Sequence, residues 1–211
     1  RKNEALNQTT HTKSMETRST FDLLLDYPKK HNIDYQTSEQ SRRLLSAEDP
    51  TLATKFIQFK VKEDIWFFAY DSYAATNFMS QTFSGLYSPI NLNSEVCLKA
   101  YKKDWFDFIL RKNRKKTGSS EVDSKLTITC DDNTFPGKLF SGKEAWLFEQ
   151  LENHISPLML LIEPAYLPTI KELKDKTIVG LEVSKWMYEE QQINRFIDLG
   201  TQLLDGIKKN A

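Results

Sequence analysis

Five of the six residues in "RKNRKK", 111–116, are basic: Arg111, Lys112, Arg114, Lys115 and Lys116. Between Lys99 and Lys116 eight basic residues face only Asp104 and Asp107, a local excess of six positive charges. Such a run can bind anions. Three readings compete: a solvated hairpin that keeps a sheet edge soluble, an anionic membrane surface, or nucleic acid. The chain as a whole carries 29 Lys+Arg and 29 Asp+Glu. That balance argues against a dedicated nucleic-acid binder, so no nucleic-acid partner is expected.

Other candidate residues are sparse. Asp131 and Asp132 in "CDDN" could form a cation site or an acid/base pair, but Asp and Asn are also favoured at a strand-to-loop turn. Asp71 and Tyr73 in "YDSY" could line a cleft. His11, His31 and His154 are far apart and lack H-E-x-x-H spacing, so no metal ligand is expected among them. Cys97 and Cys130 form no C-x-x-C and suit reduced, hydrophobe-like thiols. "TFSGLYS" is not G-x-S-x-G, and no glycine loop of the phosphate-cradling kind occurs. No catalytic residue and no cofactor is assigned.

The elements that must position these residues follow from periodicity. Residues 1–15 are polar and aperiodic, a linker or tether-proximal segment ahead of a single domain at 16–211. A helical preface is expected over 16–50. Its first helix carries Phe21, Leu24 and Leu25 on one face and is stopped or kinked at Pro28. Its second runs over 37–50, capped by Thr37 or Ser38. A sheet-containing core spans 55–211. "KFIQFKVK" alternates with Phe56 and Gln58 on one side and Ile57, Phe59 and Val61 on the other. Strands are also expected at 64–73, 95–101, 125–131, 158–163 and 177–183. Stretch 104–110 is a strand or a short helix. The turn composition of "TGSSE" places the basic run in a loop. Ser141 with Glu144 signals a capping box. Ile170 and Leu173 mark a short amphipathic turn, and 186–208 is a long amphipathic helix. The fold class is α+β: a mainly antiparallel sheet, short N-terminal helices, and a long C-terminal helix packed on the sheet.

"WFFAYDSYA", "FSGLYSPINLNSEVCL", "VDSKLTITCDD", "PLMLLIEPAYLPTIKEL" and the closing helix together resemble a class of uncharacterised bacterial proteins with N-terminal transmembrane helices and a soluble domain. The likeness covers about 55–208, and Leu126 and Ile128 stand where that pattern commonly has an aromatic. The resemblance implies a membrane tether upstream of Arg1, placing the domain at the cytoplasmic face of the bacterial inner membrane. It implies no activity. The basic start "RKNE" is the kind of flank that follows a transmembrane helix on that side.

Three functions are therefore open. The domain acts through contacts with protein or an anionic lipid surface; it holds a small apolar ligand between sheet and C-terminal helix, using its many Phe, Tyr and Trp; or it is an enzyme whose residues, Asp71, Asp131 and Asp132 first, meet only in space.

Overall fold

The computed structural model describes residues 18–43, 51–74, 81–92, 96–104, 114–130, 137 and 139–211, with the backbone alone at 41–43, 51–52 and 73–74. The fold is mixed α+β. Among the described residues nine antiparallel strands form one sheet in the order β1-β2-β3-β4-β9-β8-β5-β7-β6. The strands are β1 Tyr35–Arg43, β2 Thr51–Lys62, β3 Ile65–Ala74, β4 Gln81–Pro89, β5 Leu98–Lys102, β6 Arg114–Lys115, β7 Leu126–Cys130, β8 Leu158–Pro164 and β9 Thr177–Val183. The helices are α1 Thr20–Lys30, α2 Ser120–Lys125, α3 Gly142–Glu152 and α4 Glu190–Asn210.

Both helix starts with a capping box are locally encoded. Ser19 and Asp22 cap α1 reciprocally, and the capping box predicted at Ser141 and Glu144 forms at the start of α3. Pro28 lies inside α1, which ends two residues later at Lys30. The helix predicted over 37–50 does not form in its described part, because Tyr35–Arg43 is an edge strand paired with β2 from Tyr35–Phe59 to Arg43–Thr51. Backbone pairing along β2 outweighs the helical composition of "TSEQSRR". The "TGSSE" turn leads into α2, where the Ser119 hydroxyl accepts from the Val122 amide and Val122 is buried. Thr127 of the expected 125–131 strand is buried, opposite its cross-strand partner Tyr101. Stretches 1–15 and 105–110 lie outside the described residues.

The helices cover one face of the sheet. Phe196, Leu203, Leu204 and Ile207 of α4 meet Leu86 and Leu181 of the central strands, together with Phe67, Phe148 and Leu160. Each fully buried aliphatic or Phe side chain contributes about 1.5–3 kcal/mol. Gly200 brings α4 close to the sheet, since a Cβ there would stand 2.6 Å from Leu86 Cδ1. The far end of α4 is clasped by Lys208, which bonds Asp64 at the β2–β3 turn and Ser88 Oγ at 3.0 Å.

The opposite face has a smaller core. Phe68, Phe83, Tyr87, Leu161 and Ile178 are covered by a strap after β8 that contributes Leu167, Ile170 and Leu173. The expected amphipathic turn is this strap, closed by a 3-10 turn at Lys171–Leu173. Among the described residues no helix is long and apolar enough to cross a membrane.

Candidate ligand-binding groove

Cross-strand register builds the floor of a groove on the strap side. Phe56 of β2 stands opposite Tyr70 of β3, and Tyr70 opposite Phe83 of β4. The next row is Gln58, Phe68, Gly85 and Glu182 of β9. Rings in these rows touch: Phe56–Phe68 at 5.9 Å, Phe68–Phe83 at 5.9 Å and Tyr70–Phe83 at 5.6 Å between centroids. Aromatic pairs of this kind add about 0.5–1.5 kcal/mol each beyond their buried area.

The wall opposite is the strap. Tyr166, Leu167, Pro168 and Thr169 enclose with Phe56, Phe68, Tyr70, Gln81 and Phe83 a half-open groove of about 280 Å³. Among the described residues the lining contains no charged side chain.

Two polar pins hold the strap. Thr169 Oγ1 donates to Gln58 Oε1 at 2.5 Å, and Gln58 Nε2 donates back to the Thr169 carbonyl at 3.1 Å and to Gln36 Oε1 at 2.9 Å. Gln58 is buried, so these bonds satisfy an amide that would otherwise cost about 1–3 kcal/mol. At the other pin, Tyr166 donates to Glu182 Oε1, the oxygen that also accepts from the Tyr87 hydroxyl at 2.6 Å.

Tyr87 reaches Glu182 because two glycines give its ring room. A Cβ at Gly85 would stand 2.5 Å from the Tyr87 hydroxyl oxygen, and one at Gly180 would stand 2.7 Å from Tyr87 Cδ1. Burial, and next the charge of Glu182, hold the Tyr87 hydroxyl well above its ordinary pKa. It stays protonated and donates. Burial also raises the Glu182 carboxyl above its ordinary range, assisted by Glu163 and opposed by the Tyr87 hydrogen bond and Lys99.

The candidate residues from the sequence fall elsewhere. Asp71 lines a second cavity of about 250 Å³ on the helix side, with Ser19, Thr20, Phe21, Lys55, Thr82 and Trp186. Its Oδ1 accepts from Thr82 Oγ1 at 2.5 Å. Lys55 there pairs with Glu39 at 2.7 Å and lies 5.5 Å over the Phe21 ring. The Tyr73 side chain and residues Asp131, Asp132, Arg111 and Lys112 lie outside the described residues. Arg114 and Lys115 do not sit in a loop. They form β6, the outermost strand, opposite Thr129 and Ile128, because two backbone pairings with β7 are open to them there. Lys116 follows, exposed.

Cys97 is exposed, Cys130 is buried, and no disulfide joins them. His31 caps α1 and meets Glu190 at 3.1 Å. Among the described residues no three His, Cys, Asp or Glu come together as a metal site. The space between sheet and α4 is filled by the core named above, and the aromatic groove opens on the other face. Comparison with models of known families, with curated proteins and with solved structures found no match.

Proposed function

We propose that this chain is a binding domain that holds a small, uncharged, apolar molecule in the groove between β2–β4 and the 165–170 strap. The supporting observation is the lining itself: four aromatic side chains from three neighbouring strands, a largely apolar wall opposite, and no charge among the described residues. Binding pockets are mostly apolar concavities with a few polar groups that fix orientation. Gln81 and Tyr70 are such groups here. Native mass spectrometry of the full chain, compared with its denatured mass, tests the reading. A non-covalent adduct of one small molecule per chain supports it. A bare chain that also takes up no apolar probe contradicts it.

A second reading rests on a different observation. Lys99 of β5 and Arg114 of β6 both stand opposite Thr129 of β7, so both face one side of the sheet, with Lys116 beyond. Basic residues near an anionic bilayer gain roughly 1 kcal/mol each. On this reading the edge of the sheet docks on anionic lipid, as the cytoplasmic side of a bacterial inner membrane offers. Replacing Arg111, Lys112, Arg114, Lys115 and Lys116 by Gln should abolish sedimentation with anionic liposomes. Unchanged sedimentation removes this reading.

A further inference from the structure

Resting on the binding reading above, we infer that the groove takes a planar, uncharged aromatic compound of one or two rings bearing a neutral hydrogen-bonding group, in preference to an alkyl chain. Size sets the first limit. A volume of about 280 Å³ has room for about nine water-sized groups. That suits a two-ring heteroaromatic, whereas a long acyl chain would run out of the half-open groove into solvent.

Ring geometry sets the second. The Phe68 plane lies within 24° of Phe56 and 11° of Tyr70, whereas Phe83 is tilted 40° to Phe68 and 36° to Tyr70. The groove therefore presents rings in two orientations. A planar ligand can meet one set in an offset stack while meeting Phe83 tilted, and both arrangements favour aromatic over aliphatic partners of equal area. Two such contacts amount to about a tenfold preference.

Polarity sets the third. An ionised end group would lose water with no compensating charge among the described lining residues. The Thr169 hydroxyl is committed to Gln58, and the Tyr166 hydroxyl to Glu182. The Tyr70 hydroxyl and the Gln81 carboxamide make no side-chain hydrogen bond among the described residues, and both border the groove. Each can donate and accept, so they match a neutral N–H, hydroxyl or carbonyl on the ligand.

Equilibrium dialysis of the full chain against indole, 1-octanol and indole-3-carboxylate tests this. Indole and octanol have the same number of non-hydrogen atoms and differ in ring against chain. Indole is expected to bind at least about tenfold more tightly than either of the others. Tyr70→Leu and, separately, Phe56→Leu change half-buried side chains. Each should bring the indole-to-octanol ratio toward one while octanol binding persists. Octanol binding as tightly as indole, or a ratio that neither variant moves, overturns the aromatic preference and leaves the binding reading standing. Absence of binding by all three probes overturns both.

Discussion

Tyr87 on β4 donates its hydroxyl hydrogen bond across 2.6 Å to Glu182 on β9, and its ring reaches that acceptor by lying against Gly85 and Gly180. Tyr166 on the strap ends on the same carboxylate oxygen. A carboxylate in an otherwise apolar strand thus becomes the anchor that fixes one end of the groove wall. Thr169 and Gln58 fix the other.

This anchor has a pH signature. Glu182 has an ordinary value of 4.5 and is raised, with burial the largest cause. A carboxyl raised on folding binds its proton more tightly in the folded chain. Its contribution to stability is therefore greatest at low pH and falls as pH rises from the unfolded value through the raised folded one. Thermal unfolding of the wild type and of Glu182→Gln, from about pH 4 to 8, should show the wild type losing stability relative to the variant as pH rises. A constant difference would contradict this assignment.

Gly180→Ala should be costly although the residue lies in a regular strand. Its Cβ would stand 2.7 Å and 2.9 Å from two Tyr87 ring carbons, and overpacking of this kind costs about 1–3 kcal/mol. Urea denaturation should show that loss in the wild-type background and a smaller one when Tyr87 is replaced by Leu. Equal losses in both would mean that the ring is not what the glycine accommodates.

Thr169→Val keeps the shape of the strap and removes one hydroxyl. The buried Gln58 oxygen then loses a partner, at a cost of about 1–3 kcal/mol. Indole affinity should fall in step, because the groove wall loses a pin. Unchanged stability would show that Gln58 finds another donor.

Lys208→Met should loosen the end of α4, since Lys208 reaches both Asp64 and Ser88. The ion pair is partly solvated, which limits the loss to about 1 kcal/mol. Amide hydrogen exchange should rise first in the last turns of α4. Exchange rising first in β8 or β9 would place the clasp elsewhere.

Much of the framework was legible in the sequence because single-face burial leaves a periodic trace. "KFIQFKVK" placed Phe56 and Gln58 on one face and Ile57 and Phe59 on the other, and those are the groove face and the helix face. The capping box at Ser141 and the apolar stripe of α4 were equally plain. β1 was misread because an edge strand with polar residues on both faces has no such trace. β4 was not anticipated, because Ser84 and Ser88 interrupt its apolar run. Both are fully buried, and Ser84 bonds the Lys185 carbonyl and the Met187 amide.

The groove was not legible. Thr169 and Gln58 are 111 residues apart, and only the fold brings the strap over β2. One signal was available: Glu182 stands between Leu181 and Val183 in "TIVGLEV", a charge inside an apolar strand that calls for a partner.

The groove, and not the helix face, is expected to receive a small uncharged ligand. Amide chemical-shift mapping of the full chain during an indole titration tests it most directly. Saturable shifts are expected at 56, 68, 70, 81, 83, 166, 167 and 169, which line the groove, with α3 and α4 unmoved. Shifts confined to the helix face, or none up to the solubility limit of indole, would contradict it.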